Sequence, residues 1–490
     1  MQTKLLLTIY ASLLMSITST IGQTTWQSTY GGYSIDEANS VLVNGDGNYL
    51  VVGSTGSFGA GNGDIYVLLL DPTGTKIWSR TLGGAGVDQG EKVVQTDDGG
   101  YVIAGFTNST GNGGYDGYVA KIDSVGDLVW EHTYGGADWD FLYSISQSSD
   151  EGFIAAGQTY SNGNGGGDAW VIKLDINGDL QWERTFGDVG EDFAHSIIES
   201  AEGGYMLAGG HTAANAQNAW LVKLDSVGDE IWNVQVGGDS LDYANAVIQT
   251  VDGGYVAVGM TRSYSSFPEA LLFKYDDAGG LQWLQHLLQG SGEEYFDLVE
   301  LASGNIVSVG SVDGLGSGGM DMYFLFTDAN GTFISGITNG GDQGTENEVA
   351  TGIAVAPDGG YVICGYTESF GFGIRDVYVV KTDSLGLTET TEVHSYFDPL
   401  TIGELVNSHH LRIWPTLITN GEVLHILGNY PGAAATARIT DMRGATLANV
   451  SITSGRETSF PVPDLAPGPY MITVLQVGQS PITAKFIIMN

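Results

Sequence analysis

The stretch EKVVQTDDGGYVIAGFTNSTGNGGYDGYVAKIDSVGDLVWEHTYGG, Glu91–Gly136, decides the fold. A first run around Glu91–Thr96 is followed by Asp98-Gly99-Gly100 and then by Tyr101–Gly105. Asp-Gly between two such runs favours a tight hairpin, because glycine accepts the positive φ the turn demands. A Gly-rich loop, Thr107–Tyr115, precedes a third run, Asp116–Asp123. The turn Ser124-Val125-Gly126-Asp127 then leads into a fourth, which carries Trp130 and stops at Gly135-Gly136. The pattern predicts four short strands joined by tight connections.

Working outward, the same block recurs seven times between Trp26 and Asp383. Trp26, Trp78, Trp130, Trp182, Trp232 and Trp283 return every 50–52 residues, and Phe333 takes the remaining place. A glycine closing the second run keeps phase with them: Gly53, Gly105, Gly157, Gly209, Gly259, Gly310 and Gly365. Internal repetition of this kind marks an array of equivalent units. No helical periodicity interrupts it, so the expected class is all-β. A small twisted four-stranded sheet cannot bury both faces alone. Radial packing of the copies solves that problem and leaves only short edges. We therefore expect a seven-bladed β-propeller of four-stranded blades over residues 23–387. The chain starts on a Trp-type strand, Trp26–Tyr30, and the last copy lacks one, so the N-terminal strand is expected to complete the last blade.

Composition narrows the function. The 490 residues carry 42% hydrophobic side chains, enough for a large core, and a net charge of −40 with only 17 Lys and Arg. Nucleic acid and acidic lipid surfaces are poor partners for such a chain, because phosphate contacts need clustered cations. Glycine is abnormal at 74 residues, roughly double ordinary usage, and its fixed phase points to turns. Cys364 is the single cysteine, so no intrachain disulfide exists. Its apolar run reads as core.

Residues 1–22 carry Lys4, a short apolar segment and the small residues Thr20 and Gly22, which predicts a secretory signal cleaved before Gln23. No later stretch has the apolar length of a spanning helix. After Asp383 the repeat stops. Residues 388–410 read as a polar linker, and from Leu411 a new alternating pattern punctuated by Pro461, Pro463, Pro467 and Pro469 predicts a small β-sandwich.

Two resemblances follow from these residues. Asp168-Ala169-Trp170-Val171-Ile172-Lys173-Leu174-Asp175 and Asp116–Asp123 are similar to repeats of bacterial propellers of the Kelch and quinoprotein type, which implies architecture more than activity. Ile413-Trp414-Pro415, Thr440-Asp441-Met442-Arg443-Gly444, Leu465-Ala466-Pro467-Gly468-Pro469-Tyr470 and Lys485-Phe486 resemble the C-terminal sorting domain of the type IX secretion system of Bacteroidota. That resemblance implies that residues 411–490 engage the secretion machinery, and that the protein is secreted or held at the outer-membrane surface; separately, a monomer is expected.

Strand order places the Asp-Gly-Gly hairpins on one face and the Gly-rich loops, with the Gly-Gly-to-acid connections, on the other. Only the second face varies, so ligand binding is expected there. An acid recurs on it: Asp36, Asp88, Asp140, Asp192, Asp242, Glu294 and Glu348. A ring of carboxylates would attract Ca²⁺, a hard cation needing several oxygens. Alternatively the acids cap loop N–H groups or pair with the third-strand lysines Lys121, Lys173, Lys223, Lys274 and Lys381. A feature shared by every copy usually solves a problem every copy has, which favours the second account.

Function is expected where copies differ. The candidate ligand contacts are His211 in the fourth copy, Arg262, Tyr264 and Phe267 in the fifth, and Phe370, Phe372 and Arg375 in the seventh. Aromatics with Arg suit glycan stacking or a protein hot spot. No nucleophile elbow, phosphate loop or paired metal-ligand histidines occur in a suitable context. The expectation is a glycan- or protein-binding scaffold with no catalysis and no cofactor. The alternative is a polysaccharide hydrolase or lyase using carboxylates at the channel mouth.

Overall fold

Hydrogen bonding divides the chain into short, mostly antiparallel ladders, and no helix occurs among the described residues. The computed structural model describes residues 23–213, 216–315, 319–340, 346–388 and 393–397, and from residue 410 its strands. The expected signal segment 1–22, Ala214, Asn215 and most of the 388–410 segment lie outside them. The chain forms two compact units, Met1–Phe397 and Asp398–Asn490.

In the first unit the strands Asp36–Val43, Tyr49–Thr55, Asp64–Leu70 and Lys76–Leu82 make one antiparallel sheet in chain order. Five more four-stranded sheets repeat it, opening with Asp88–Gln95, Asp140–Gln147, Phe193–Glu199, Asp242–Gln249 and Gly292–Glu300. A further sheet holds Glu348–Val355, Tyr361–Thr367 and Asp376–Thr382, and Trp26–Gly31 pairs antiparallel with the last of these. The N-terminal strand thus completes the last sheet, as expected. Each opening strand packs against the opening strands of two neighbouring sheets, and the series returns to its start, since Asp36–Val43 packs against both Asp88–Gln95 and Glu348–Val355. The architecture is an all-β propeller with the opening strands around its axis.

The repeated residues explain the packing. The tryptophan of each outer strand lies on the turn glycine of the next sheet: a Cβ on Gly74 would come 2.9 Å from Trp26, and one on Gly178 2.9 Å from Trp130. These glycines also hold positive φ, +82° and +84°, which L side chains resist. Phe333 does not take the tryptophan's place. The equivalent position is Ser335, and its cross-strand partner Phe326 replaces the lysine found opposite Trp26, Trp130, Trp182, Trp232 and Trp283. One aromatic still spans the ladder, now from the other strand, and Gly386 packs on Phe326.

The lysines do not reach the recurrent acids. Lys121, Lys173, Lys274 and Lys381 pair with the hairpin aspartates Asp98, Asp150, Asp252 and Asp358 at 2.5–2.9 Å on the opposite face. Lys223, whose own hairpin carries Glu202, turns to Asp277 of the next sheet at 3.1 Å. Hydrogen bonds from Lys121 and Lys274 hold Asp98 and Asp252 down to about 2.

The segment expected to be a polar linker contributes structure. Val393–Phe397 pairs in parallel with Trp26–Gly31, and Tyr396 stacks on Tyr30 with ring centroids 5.3 Å apart. In the second unit His410–Trp414, Val423–Asn429 and Glu457–Pro461 form one sheet. Leu417–Thr419, Ile482–Met489, Gly468–Leu475, Ala435–Asp441 and Thr446–Ile452 form another, in that order. Among the described residues no helix is long and apolar enough to cross a membrane.

Candidate functional site

The phase-keeping glycine builds the site. In every opening strand the register slips by one residue, and the residues left unpaired are Asn39, Glu91, Tyr143, His195, Asn245, Phe296 and Thr351. Such a bulge re-aims one side chain out of the ladder. The partner strand must make room for it. A Cβ on Gly53, Gly105, Gly157, Gly209, Gly259, Gly310 or Gly365 would fall 1.8–2.0 Å from the carbonyl oxygen at the start of the bulge. Only glycine fits. All seven bulged side chains are half-buried although they belong to the innermost strands, as expected of groups lining a central channel.

Three residues before the bulge sit the recurrent acids, and they are caps. Asp36, Asp88, Asp140 and Asp242 accept backbone N–H groups of Gly32, Gly84, Gly136 and Gly238 at 2.7–2.9 Å. They also accept the hydroxyls of Ser57, Ser109, Ser161 and Ser263 at 2.6–2.7 Å and those of Thr55, Thr107, Thr159 and Thr261. Glu348 accepts from Thr367 at 2.8 Å, and Asp192 from the Thr212 N–H at 2.7 Å. Glu294 is not the sixth member. Glu293 holds that register, pairing with Val312 and capping the Gly290 N–H at 2.6 Å. The longer glutamate carries its carboxylate to the place an aspartate fills elsewhere.

A second acid series opens the third strands: Asp64, Asp116, Asp168, Glu269, Asp321 and Asp376, with Asn218 in the fourth sheet. These acids are buried, and Asp64, Asp116, Asp168 and Asp376 cap the loop just before them, at 2.8–3.2 Å. Each lies beside the first-strand acid of the following sheet where both charges are felt. Burial pushes Asp376 up to about 6, and Asp36 adds to the rise. Among the described residues no group of three or more His, Cys, Asp or Glu side chains is arranged to hold a metal ion.

The bulged side chains differ in chemistry, and they connect. Asn245 Nδ2 donates to Glu294 Oε1 at 3.0 Å and to the Tyr295 carbonyl at 2.9 Å. Its Oδ1 therefore faces His195 Nδ1, 2.9 Å away, as an acceptor. The bonding assigns the proton to Nδ1 and leaves the lone pair on Nε2. Burial holds this imidazole down to about 4. Tyr243 also donates to Glu294 Oε1, at 2.9 Å. Two sheets from His195, Glu91 accepts from Gln89, at 2.8 Å, its one hydrogen bond among the described residues, and burial pushes its carboxyl up to about 8. One residue deeper, Lys92 Nζ and Asp297 Oδ2 stand 3.6 Å apart. Their sheets are not neighbours, so the pair bridges the channel.

An aromatic track leads in from the variable face. Trp139, 55% exposed at the rim, meets Tyr115 edge-on at 6.1 Å. Tyr115 meets Phe106 at 5.4 Å, and Phe106 meets Phe141 at 5.0 Å. Phe141 stacks on the bulged Tyr143 at 6.0 Å, Tyr143 meets His195 edge-on at 5.3 Å, and His195 stacks on Phe193 at 4.3 Å. Beside the rim, Tyr160 donates its backbone N–H to Trp139 and its hydroxyl to Glu191, each at 2.8 Å.

The loop residues expected to bind ligand divide. His211 stands where five other sheets place the capping threonine. Its Nδ1 lies 2.8 Å from Asp192 Oδ1 without hydrogen-bond alignment, and its ring leans on Trp220 at 5.0 Å. Arg375 bridges Glu37 of the first sheet and Glu368, 2.7 Å away, and lies 4.0 Å over the Tyr366 ring. It clasps the ring shut. Phe370 packs half-buried near Tyr378 at 5.9 Å. Tyr264 stacks on His286 at 4.2 Å, while Phe267 and Phe372 are exposed. Arg262 is exposed, and its charge is felt by Tyr243 and Glu294 at the channel. The fifth-sheet and last-sheet candidates are separated by the sixth sheet and form no single site. None of the track's rings is among the loop residues expected to bind ligand. The signal was present: one and three residues after the recurrent acid, the copies read Gln89/Glu91, Phe141/Tyr143, Phe193/His195 and Tyr243/Asn245.

The fold and this channel define an all-β propeller with an aromatic-lined mouth. No family model matches the chain, and no curated protein does. Among solved structures it is similar to the periplasmic gluconolactonase of Pseudomonas aeruginosa, with 12% identity over 74% of this chain and 99% of that one, and a TM-score of 0.42. It is also similar to a fungal alcohol oxidase in complex with copper (13% identity, 96% of this chain, 100% of that one, TM-score 0.45). A third is a protein of unknown function from Bacteroides caccae (10% identity, 57% of this chain, 92% of that one, TM-score 0.38).

Proposed function

We propose that the protein is an exported seven-bladed propeller, each sheet a blade, that binds a glycan along the aromatic track without turning it over. The continuous run of rings from exposed Trp139 to Tyr143 and His195 carries this reading. Sugar rings present apolar C–H faces that stack on aromatics, while their hydroxyls need carboxylate, amide and imidazole partners of the kind Glu191, Asn245 and His195 supply. A track that descends into a channel suits an extended saccharide better than a protein surface. Export through the type IX system, with residues 411–490 as the sorting signal, rests on the motifs quoted above and the leader-like residues 1–22. The Kelch-type likeness rests on the third-strand motifs.

The test is a glycan array probed with the mature chain, residues 23–490, and with Trp139→Ala and Phe141→Ala. Retention of at least one glycan is expected, weakened about tenfold in each variant, equivalent to about 1.4 kcal/mol. Because the recurrent acids are occupied as caps, chelation with EDTA is expected to leave retention unchanged. Retention by neither wild type nor variants, or equal retention by all three, rejects the reading.

A second reading, hydrolysis or lysis of the glycan, is favoured by one observation. Glu91 is a carboxyl held up to about 8 in the channel, where the equivalent residues of other sheets are not acids. New reducing ends released by wild type and abolished in Glu91→Gln would establish it.

A further inference from the structure

Resting on the glycan reading, we infer that the channel holds a subsite for the terminal sugar of the chain, where His195 Nε2 accepts and the Glu91 carboxyl donates a hydrogen bond to its hydroxyls on either side of Tyr143. The three side chains occupy the same bulge position in consecutive sheets, so the repeat places them side by side at one depth. Tyr143 is fixed edge-on to His195 at 5.3 Å, and its ring forms the wall between the two polar groups. His195 is oriented from behind by the Asn245 bond of 2.9 Å, and its Nε2 makes no hydrogen bond among the described residues. Glu91 is steadied by Gln89 at 2.8 Å. The Lys92–Asp297 bridge, 3.6 Å across, lies one residue deeper and closes the floor. A chain entering along the track therefore ends here, and recognition is of a chain end.

The protonation states agree with these roles at neutral pH. The imidazole, held down to about 4, keeps its lone pair, and the carboxyl, pushed up to about 8, keeps its proton. The other charged and titratable groups facing them are Glu37, Lys92, Tyr143, Tyr243 and Glu294. Glu37 is engaged by Arg375, Lys92 by Asp297, and Glu294 by Tyr243 and Asn245.

The experiment uses the mature chain labelled at histidine with ¹⁵N, the His195 signals being assigned by their loss in His195→Asn. The probes are glucose, galactose, mannose and N-acetylglucosamine. At least one is expected to shift the Nε2 resonance at neutral pH, with the response lost below pH about 4 and above about 8. Val251→Ala, on an exposed hairpin of the opposite face, is expected to leave the response in place. Glu91→Gln, which still donates, is expected to retain binding while removing the alkaline limit, and Glu91→Ala to weaken it about tenfold. If no monosaccharide moves His195 although the array retains a glycan, the inference fails and the glycan reading stands. If neither occurs, both fail. An alkaline limit unchanged in Glu91→Gln removes Glu91 from the subsite.

Discussion

Two positions in the same strands, three residues apart, carry opposite messages. Asp36 and its equivalents are buried, nearly invariant in type across the copies, and bonded to their own loops. Asn39 and its equivalents are half-buried, differ in every neighbouring copy, and point out of the ladder. Sheets that share one backbone problem share its solution, so the acid repeats. The bulge also repeats, but it fixes only a direction. What stands on it is free to differ, and the differences build an asymmetric channel from a symmetric ring. Repetition marks the scaffold, and variation on a repeated backbone feature marks the site.

The sharpest way to break this contrast is to remove the glycine behind the bulge. Gly157→Val places a side chain 1.9 Å from the Phe141 carbonyl, and neither backbone can move without losing ladder bonds. A loss of about 3 kcal/mol or more is expected, read as a large drop in the thermal midpoint or failure to recover folded protein. Near-native stability would show that the bulge does not need the glycine.

The capping acid should cost less. Asp140→Ala leaves the Gly136 N–H and the hydroxyls of Ser161 and Thr159 without their acceptor. A destabilisation of about 2–3 kcal/mol is expected, together with faster hydrogen exchange at residues 136–140. If Asp140→Ala instead changed Ca²⁺ affinity with no loss of stability, the cap account would be wrong.

A smaller effect separates the bulge position from the cap. Glu91 binds its proton more tightly folded than unfolded, so the folded state holds more protons between the ordinary glutamate range and pH about 8. Stability contributed by this group therefore falls as pH rises through that window. Asp376, raised to about 6, adds the same sign over a lower range. Glu91→Gln should flatten the decline and raise the melting temperature at pH 8 by a few degrees, with little change at pH 4.5. A steeper decline in the variant contradicts the assignment.

Much of the fold was legible in the residues because its signals are local and repeated. The Trp spacing reported the outer strands, the Asp-Gly-Gly runs reported hairpins, and the surplus Trp26 strand announced its own partner. Phe333 misled because the aromatic had moved across the ladder to Phe326, a swap visible only once the strands are paired. Glu294 misled by one residue because Glu293 and Glu294 are adjacent acids and length alone decides which one reaches the cap. Val393–Phe397 was unreadable as a strand because its partner, Trp26–Gly31, is distant in sequence and the run leading into it, Thr388-Glu389-Thr390-Thr391-Glu392, is polar. The channel was missed for a different reason. A bulge adds one residue to a strand without changing its composition, so nothing in Tyr143 or His195 alone marks the side chain as turned inward. The phase-keeping glycine was the trace of it, and its meaning appears only against the carbonyl it accommodates.

On the proposed glycan reading, the bulged positions, and not the repeated ones, carry binding. Isothermal titration of the oligosaccharide most strongly retained on the array, into wild type and Tyr143→Ala, tests it most directly. The account predicts at least tenfold weaker binding with a melting temperature changed by no more than about 2 °C, since a half-buried channel side chain contributes little to the core. Equal affinity in the two proteins would contradict it.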